Sequence, residues 1–427
     1  MQEQGSVAVI GAGVVGCAAA YALACENRRV VLVDRAEPGI GGASYGNAGH
    51  IAAEFVQPLP SLQLLLGFWR QLFMLGGPLD IPLSRLPHLV PWLTRFAAAA
   101  WRQRENAAHL APLVRSAPAM LDKWLQRLGR GELLRRNGFY EIWLSGNAAR
   151  RSRAQVRIMD RLEVATFPAP TELIDSARRA AHASSGSGLW YPDSAHVIDP
   201  LEVARAFATG ALERAAQFRR AEVSAVHPRA AGVDIIAGEQ SFSADAVVVC
   251  AGAWSAALLE PLGVCAPLES VRGYHVELPH QRALVDAPLL YADEHVIVTP
   301  MVGRLRASTY LEFRPPQAPA DSRKFAQLRR KLSAFGYDGA PDGAEWVGAR
   351  PVLPDYLPGI GCIPGTEVFY AVGHNLIGLT LAAVTAELIA DLVARRQPPY
   401  AVAAFDLRRF GARKAMHGEA RVSNGIA

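Results

Sequence analysis

Cysteine is scarce and unpatterned in this 427-residue chain: Cys17, Cys25, Cys250, Cys265 and Cys362 are odd in number and contain no C-x-x-C pair. That argues against a secreted disulfide scaffold and against a zinc site, and it suits a reduced, cytoplasmic protein with no bound metal. Long hydrophobic runs are missing as well. No stretch of about twenty uninterrupted apolar residues exists, so no membrane-spanning helix is expected. Met1–Ser6 is too short and too polar to be a secretory leader. Charge of one sign is also lacking, since the net charge is only +5 and scattered. A nucleic-acid partner is therefore not expected. The small basic excess suits anionic partners (carboxylates, cofactor phosphates, acidic lipid) or a merely solvated surface.

What is present is apolar mass, 51% of the residues, enough for a large core in two closely packed domains. The chain opens with the β-prone run Val7–Ile10, a glycine turn, a small-residue helix over Val14–Cys25, and a second apolar strand, Val30–Val33, ending at Asp34. This βαβ order predicts a parallel sheet. Asp199 is a helix cap for Pro200 to about Arg214, with Glu202 at the capping-box position. Strands are expected around Ala221–Val226, Gly232–Ala237 and Ala246–Cys250. From Val271 to Phe313 the pattern shifts to alternating faces, which predicts an antiparallel sheet. Asp321–Phe335 reads as helix and 137–198 as turns with short helices. Val368–Val372, a glycine turn and a helix from about Gly378 to Arg395 close the chain. Aromatic-rich Leu62–Arg104 reads as core, as a lid, or as a patch lying on a membrane.

Gly11, Gly13 and Gly16 make the spacing G-x-G-x-x-G in Gly11-Ala12-Gly13-Val14-Val15-Gly16. The first permits the turn, the second lets backbone approach a pyrophosphate, and the third allows close helix–sheet contact. The helix N-terminus presents free N–H groups to phosphate. Asp34 can accept hydrogen bonds from ribose hydroxyls, and an acidic residue there disfavours NADP. FAD and NAD both remain open on this motif.

Three further stretches carry a family resemblance. They are Gly41-Gly42-Ala43-Ser44-Tyr45-Gly46-Asn47-Ala48-Gly49-His50; Val247 to Trp254 with its Ala251-Gly252-Ala253-Trp254 turn; and Gly348-Ala349-Arg350-Pro351 followed by Gly373-His374-Asn375-Leu376-Ile377-Gly378-Leu379-Thr380. Together with the opening motif they resemble the FAD-dependent D-amino acid oxidase superfamily over nearly the whole chain, most closely its D-amino acid dehydrogenases, including the D-hydroxyproline dehydrogenases. The resemblance implies an α/β (α+β) protein with a Rossmann-type FAD-binding domain and a second, antiparallel-sheet substrate domain. The first domain would comprise 1–60 with about 195–265 and 340–427, and the second about 61–194 and 266–339. It implies FAD contacts from Gly11, Ala12, Gly13, Val14, Val15, Gly16, Asp34, Arg35, Ala43, Ser44, Asn47, Ala48, Gly49, His50 and Ile51. Further contacts would come from Val223, Ala251, Gly252, Trp254, Gly348, Arg350, Gly373, His374, Asn375, Ile377, Gly378, Leu379 and Thr380. His374 is a flavin neighbour or a capping residue. A helix starting at Gly378 would aim positive potential at the part of the flavin that gains charge on reduction.

Amino acid oxidation by a flavin needs a neutral amine, a held carboxylate and an aimed Cα–H, with hydride passing to flavin N5 to leave an imine. Arg350 and Arg306 are the candidates for the carboxylate. Tyr274 resembles a family tyrosine near the substrate, though a half-buried strand also explains it. His50 and Glu54, read at helical i,i+4 spacing, would bind a ring amine or hydroxyl, or simply brace the loop. The expected substrate is a D-amino acid, cis-4-hydroxy-D-proline or D-proline foremost. Electrons would pass to a quinone or electron-transfer protein, with peripheral contact at the inner face of the membrane left open. A glycine or sarcosine-type oxidase and a flavin subunit of a larger complex are the alternatives.

Overall fold

The computed structural model describes residues 5–279, 282–337 and 343–411. The polar lead-in Met1–Gln4 and the end of the 340–427 stretch lie outside the described residues. Ser6–Ile10 and Arg29–Asp34 are apolar at successive rather than alternate positions, so they are stable only with both faces covered. They lie inside a six-stranded sheet ordered Gln217–Arg220, Arg29–Asp34, Ser6–Ile10, Ala246–Val249, Val368–Val372, Gly359–Cys362. Every pair is parallel except the last. Helices Val14–Cys25, Pro200–Leu212 and Gly378–Val393 cover one face, and the long helix Gln103–Arg127 packs on the last of them. A three-stranded antiparallel sheet, Val223–Pro228, Val233–Ala237 and Gln240–Ala244, covers the other. Asp199 does cap its helix, accepting from the Leu201 N–H at 3.0 Å. Glu202 is not its capping-box partner: it pairs instead with Arg205 at 2.9 Å and Arg130 at 3.4 Å.

The second sheet has nine strands. Its main path runs Glu345–Val352, Glu269–Pro279, Arg304–Phe313, Val296–Met301, Leu289–Tyr291, Phe139–Trp143, Ser187–Tyr191 and Phe167–Pro168. Neighbours are antiparallel except Leu289–Tyr291 with Phe139–Trp143, and the short Leu79–Asp80 beside Arg304–Phe313. Helix Ser322–Ala334 packs on its back face over Tyr274, Leu278 and Tyr310. The stretch 137–198, expected as turns and helices, supplies four strands. Each is at most five residues long and basic helix Ala148–Arg161 interrupts them, so no period-2 run accumulates.

Residues 62–104 are core in part, one of their expected fates, and exposed in part. Leu89 and Trp92 are buried against Val352 and Tyr356, but Leu66, Met74 and Leu83 are 83%, 93% and 83% exposed. Among the described residues no helix is long and apolar enough to cross a membrane.

Candidate active site

The two sheets enclose one cavity of about 720 Å³. At one end Gly11 turns the chain at φ +105° out of the opening strand. A Cβ there would meet the Cys250 carbonyl at 2.4 Å, and one at Gly16 would meet the Gly11 carbonyl at 1.8 Å. Helix Val14–Cys25 thus starts hard against the strand, with no side-chain cap at Gly13. The Ser44 hydroxyl accepts from Val14 N–H at 2.9 Å, which ties the second glycine loop to the first. Asp34 accepts from the Ala12 and Ala36 N–H groups at 2.7 and 2.9 Å. Val223, Ala251, Gly252 and Trp254 complete this end, with the Arg35 guanidinium 4.1 Å over the Trp254 ring.

The closing turn faces it. Gly373 and Asn375 take positive φ, and helix Gly378–Val393 begins without a side-chain cap, so both helix N-termini open onto one space. Two buried donors here lack partners among the described residues, Asn375 Nδ2 and Trp254 Nε1. Bare glycine turns, orphan donors, an acidic strand end and a long cavity of the usual ligand-pocket size fit the FAD that the sequence resemblance implies.

His374 contributes to the wall, but its imidazole Nε2 is 3.0 Å from the Thr385 hydroxyl. Burial lowers its pKa to about 4, so the ring is neutral and pins the turn to the closing helix. Thr380 likewise points away, its hydroxyl accepting from Ala52 N–H at 3.1 Å. Ala12, Gly16, Gly49 and Ile51 stand behind the wall rather than on it, and Gly348, on the cavity face of its strand, is covered by the Trp346 indole.

At the far end, cross-strand register brings side chains together. Trp346, Gly348 and Arg350 share the cavity face of their strand, and Trp346 stacks on His275 at 5.0 Å. A Cβ at Gly46 or Gly348 would fall within 2.1 Å of that indole, so the ring is seated between two glycines. Arg350 is enclosed, and burial lowers its pKa to about 10. Its Nη1 donates to the Tyr310 carbonyl at 3.0 Å, and among the described residues it has no carboxylate partner. Sequence reasoning missed Trp346, Tyr310, Phe139 and His295 on this wall. Strand alternation back from Arg350 signals Trp346; the others depend on strands remote in sequence.

His50 and Glu54 do meet on the wall, but not on a helix: His50–Ile51 is a short strand and Glu54 follows in a turn. His50 Nε2 lies 3.5 Å from Glu54 Oε1, and the His50 ring stacks on Phe139 at 4.3 Å. Burial pushes the Glu54 carboxyl up, but the His50 ring and the Ser194 hydroxyl, donating at 2.6 Å, bring it below its usual range. Glu54 is therefore an ionised acceptor at neutral pH.

Two expectations are corrected by parity and partners. Tyr274 follows Gly273, which faces the cavity, so Tyr274 faces the back of the sheet; its hydroxyl donates to Glu312 at 2.8 Å and its ring packs on Phe325. Arg306 is consumed by Glu277 at 2.6 Å and by the carbonyls of Tyr45 and Asn47 at 3.2 and 2.7 Å. It clamps the second glycine loop from below rather than opening onto the cavity. Asp80, Glu312 and Asp321 gather at metal-like spacing, but Lys324 Nζ fills their centre at 2.5, 3.0 and 3.3 Å.

Residues 6–392 match the family described as DAO, FAD dependent oxidoreductase. The chain belongs to that family. Within it, the chain is 30% identical to a D-amino-acid oxidase of Bradyrhizobium diazoefficiens, across 96% of this chain and all of that one. It is 31% identical to D-amino acid dehydrogenase 2 of Ralstonia nicotianae, across 94% and 100%. Among solved structures of the same fold, glycine oxidase from Geobacillus kaustophilus superposes with TM-score 0.71 at 22% identity, covering 95% of this chain and 99% of that one. L-Proline dehydrogenase from P. horikoshii superposes with TM-score 0.69 at 17% identity, covering 96% and 98%. Membership in this family makes FAD the cofactor.

Proposed function

We propose that this FAD-dependent oxidoreductase oxidises the Cα–N bond of a D-amino acid whose carboxylate is held by Arg350. The observation that carries this is an enclosed guanidinium on the cavity wall that, among the described residues, gives one hydrogen bond to backbone and none to a carboxylate. A desolvated cation with free N–H donors is a strong site for a carboxylate, and the carboxylate relieves the cost of its burial. The names of the two relatives support the D-amino acid class.

His50 and Glu54 favour a cyclic secondary amine, with cis-4-hydroxy-D-proline or D-proline as the substrate. Ionised Glu54 accepts a hydrogen bond from a ring N–H or a hydroxyl and can take a proton at Oε1. His50, held by the Phe139 ring, orients that carboxylate. Trp346, Phe139 and Leu311 line the same end and keep water from the reacting carbon. The bound flavin supplies the two-electron acceptor.

Electrons then pass to a carrier. Leu66, Phe68, Trp69, Met74 and Leu83 are exposed apolar side chains on a segment that runs through Pro78 on the cavity wall, and Arg70 lies 4.9 Å over the Trp69 ring. That surface suits an acidic membrane, where a quinone would be at hand. The oxidase reading is favoured by the name of the Bradyrhizobium relative.

A panel of D- and L-amino acids, including both hydroxyproline epimers, assayed with a dye acceptor tests the substrate class. Turnover of D-substrates is expected, led by the prolines, and turnover of L-substrates alone overturns the proposal. Stoichiometric peroxide without dye would select the oxidase reading. Arg350→Ala is expected to raise KM roughly 30- to 1000-fold with the flavin retained, the loss of one charged hydrogen-bonded contact.

A further inference from the structure

The carboxylate reading leaves open what holds in one place a half-buried arginine with no carboxylate partner among the described residues. Arg350 lies across its strand neighbour onto Gly273. A Cβ at Gly273 would meet its Nη2, Cζ and Nη1 at 2.0, 2.2 and 2.3 Å, so the guanidinium occupies the space that any other residue would fill. Gly273 does not adopt left-handed φ, so the absence of a side chain serves room rather than conformation.

The partner strand is irregular at the same level. In Arg304–Phe313 the register against Glu269–Pro279 shifts, with Arg272 opposite Glu312 but Tyr274 opposite Thr309. The bulge falls opposite Gly273. Tyr310, inside it, has φ +72°, a left-handed conformation that a bulky residue rarely adopts and that persists only where surroundings hold it. Here they do. The Tyr310 hydroxyl donates to Gln327 at 2.7 Å and the ring meets Tyr274 and Phe73 edge-on at 5.9 and 5.7 Å. The bulge puts Ser308, Thr309, Tyr310 and Leu311 all on the cavity wall, where a regular strand would show alternate residues. It also delivers the carbonyl that accepts from Arg350 Nη1.

We propose that the Gly273 notch and the Tyr310 bulge form one positioning device, which seats and orients the Arg350 guanidinium for the carboxylate of an amino acid. The device rests on the carboxylate reading of Arg350. Its two halves do different things: the notch sets how deep the guanidinium lies, and the bulge carbonyl fixes its rotation, leaving the opposite edge for the ligand.

The test is Gly273→Ala in the full-length flavoprotein. The atom that must yield is the end of a flexible side chain, so the variant should fold and retain FAD while the guanidinium shifts. KM for the best D-amino acid is expected to rise roughly 10- to 100-fold, as for a displacement of about 1 Å at a binding group, with kcat changing less than KM. Affinity for propionate, titrated by the flavin absorbance change, should weaken by a similar factor. In an Arg350→Ala background Gly273→Ala should cost nothing further. Wild-type KM and propionate affinity in Gly273→Ala, or an equal penalty in the Arg350→Ala background, overturns the device. If Gly273→Ala alone fails to fold, recovery of folding in the double variant supports the notch, and failure of both overturns it. Wild-type propionate affinity in Arg350→Ala would instead sink the carboxylate reading itself.

Discussion

The two ends of the cavity are built on different principles. Around Gly11, Gly13 and Gly373 the wall is mostly backbone: turns, helix N-termini and absent side chains. Around Arg350, Trp346 and His50 it is mostly side chain, and each is aimed by a strand or ring far away in sequence. A backbone wall tolerates almost any outward side chain but no added Cβ at its tightest turns, Gly11 and Gly373. A side-chain wall tolerates many backbones, provided each group is held at the right angle. The first suits a cofactor common to a whole family, and the second suits a substrate that differs from member to member.

The comparison breaks if the backbone end accepts a side chain. Gly16→Ala places a Cβ 1.8 Å from the Gly11 carbonyl, where only backbone could move. It should give protein with no bound flavin or no soluble protein, read from FAD content and absorbance after purification. A yellow, stoichiometric Gly16→Ala holoenzyme would refute the backbone account.

Arg306 joins the two ends, because it grips the second glycine loop from the nine-stranded sheet. Arg306→Ala strands Glu277 with only Arg304, at 2.9 Å, and frees two loop carbonyls. A stability loss of about 3 kcal/mol is expected, as for removing one partner of a buried pair, together with weaker FAD retention. Substrate preference should not change. A selective rise in KM with full FAD affinity would instead return Arg306 to the substrate.

An effect confined to the pH range above about 4.5 sharpens the picture behind the side-chain wall. Glu141 lies on the same strand face as Phe139, and Tyr191 donates to it at 2.6 Å. Burial raises its pKa from 4.5 to about 7, with the Glu54 charge adding to the rise. The folded chain therefore keeps a proton that the unfolded chain releases near pH 4.5, and stability falls as pH rises from there to about 7. At about 1.4 kcal/mol per unit this is on the order of 3 kcal/mol. Glu141→Gln should thus be more stable than the parent at pH 8 by up to that amount and show no gain near pH 4.5. Unfolding midpoints at the two pH values check this, and a pH-independent offset would contradict the protonated state.

How far the site could be read beforehand followed the same division. Gly11, Gly13, Gly16, Asp34, Ser44 and Gly373 were visible because a turn or a close approach needs a particular residue at a particular place in the chain. His50 and Glu54 were paired correctly for the wrong reason: i,i+4 spacing suggested a helix, and a strand followed by a turn brings them equally close. Tyr274 and Arg306 were misplaced because parity and partner cannot be read from one strand alone.

What the sequence determined by itself is therefore the βαβ opening, the glycine turns and the closing strand–turn–helix, with FAD following from the family resemblance that those turns carry. Each is encoded in a short window of backbone preference and apolar period. Only the tertiary structure decided that Arg350 rests on Gly273, that Trp346 is seated between Gly46 and Gly348, and that Phe139 holds His50. Those contacts depend on cross-strand register and on loops returning from hundreds of residues away, and no local pattern records either.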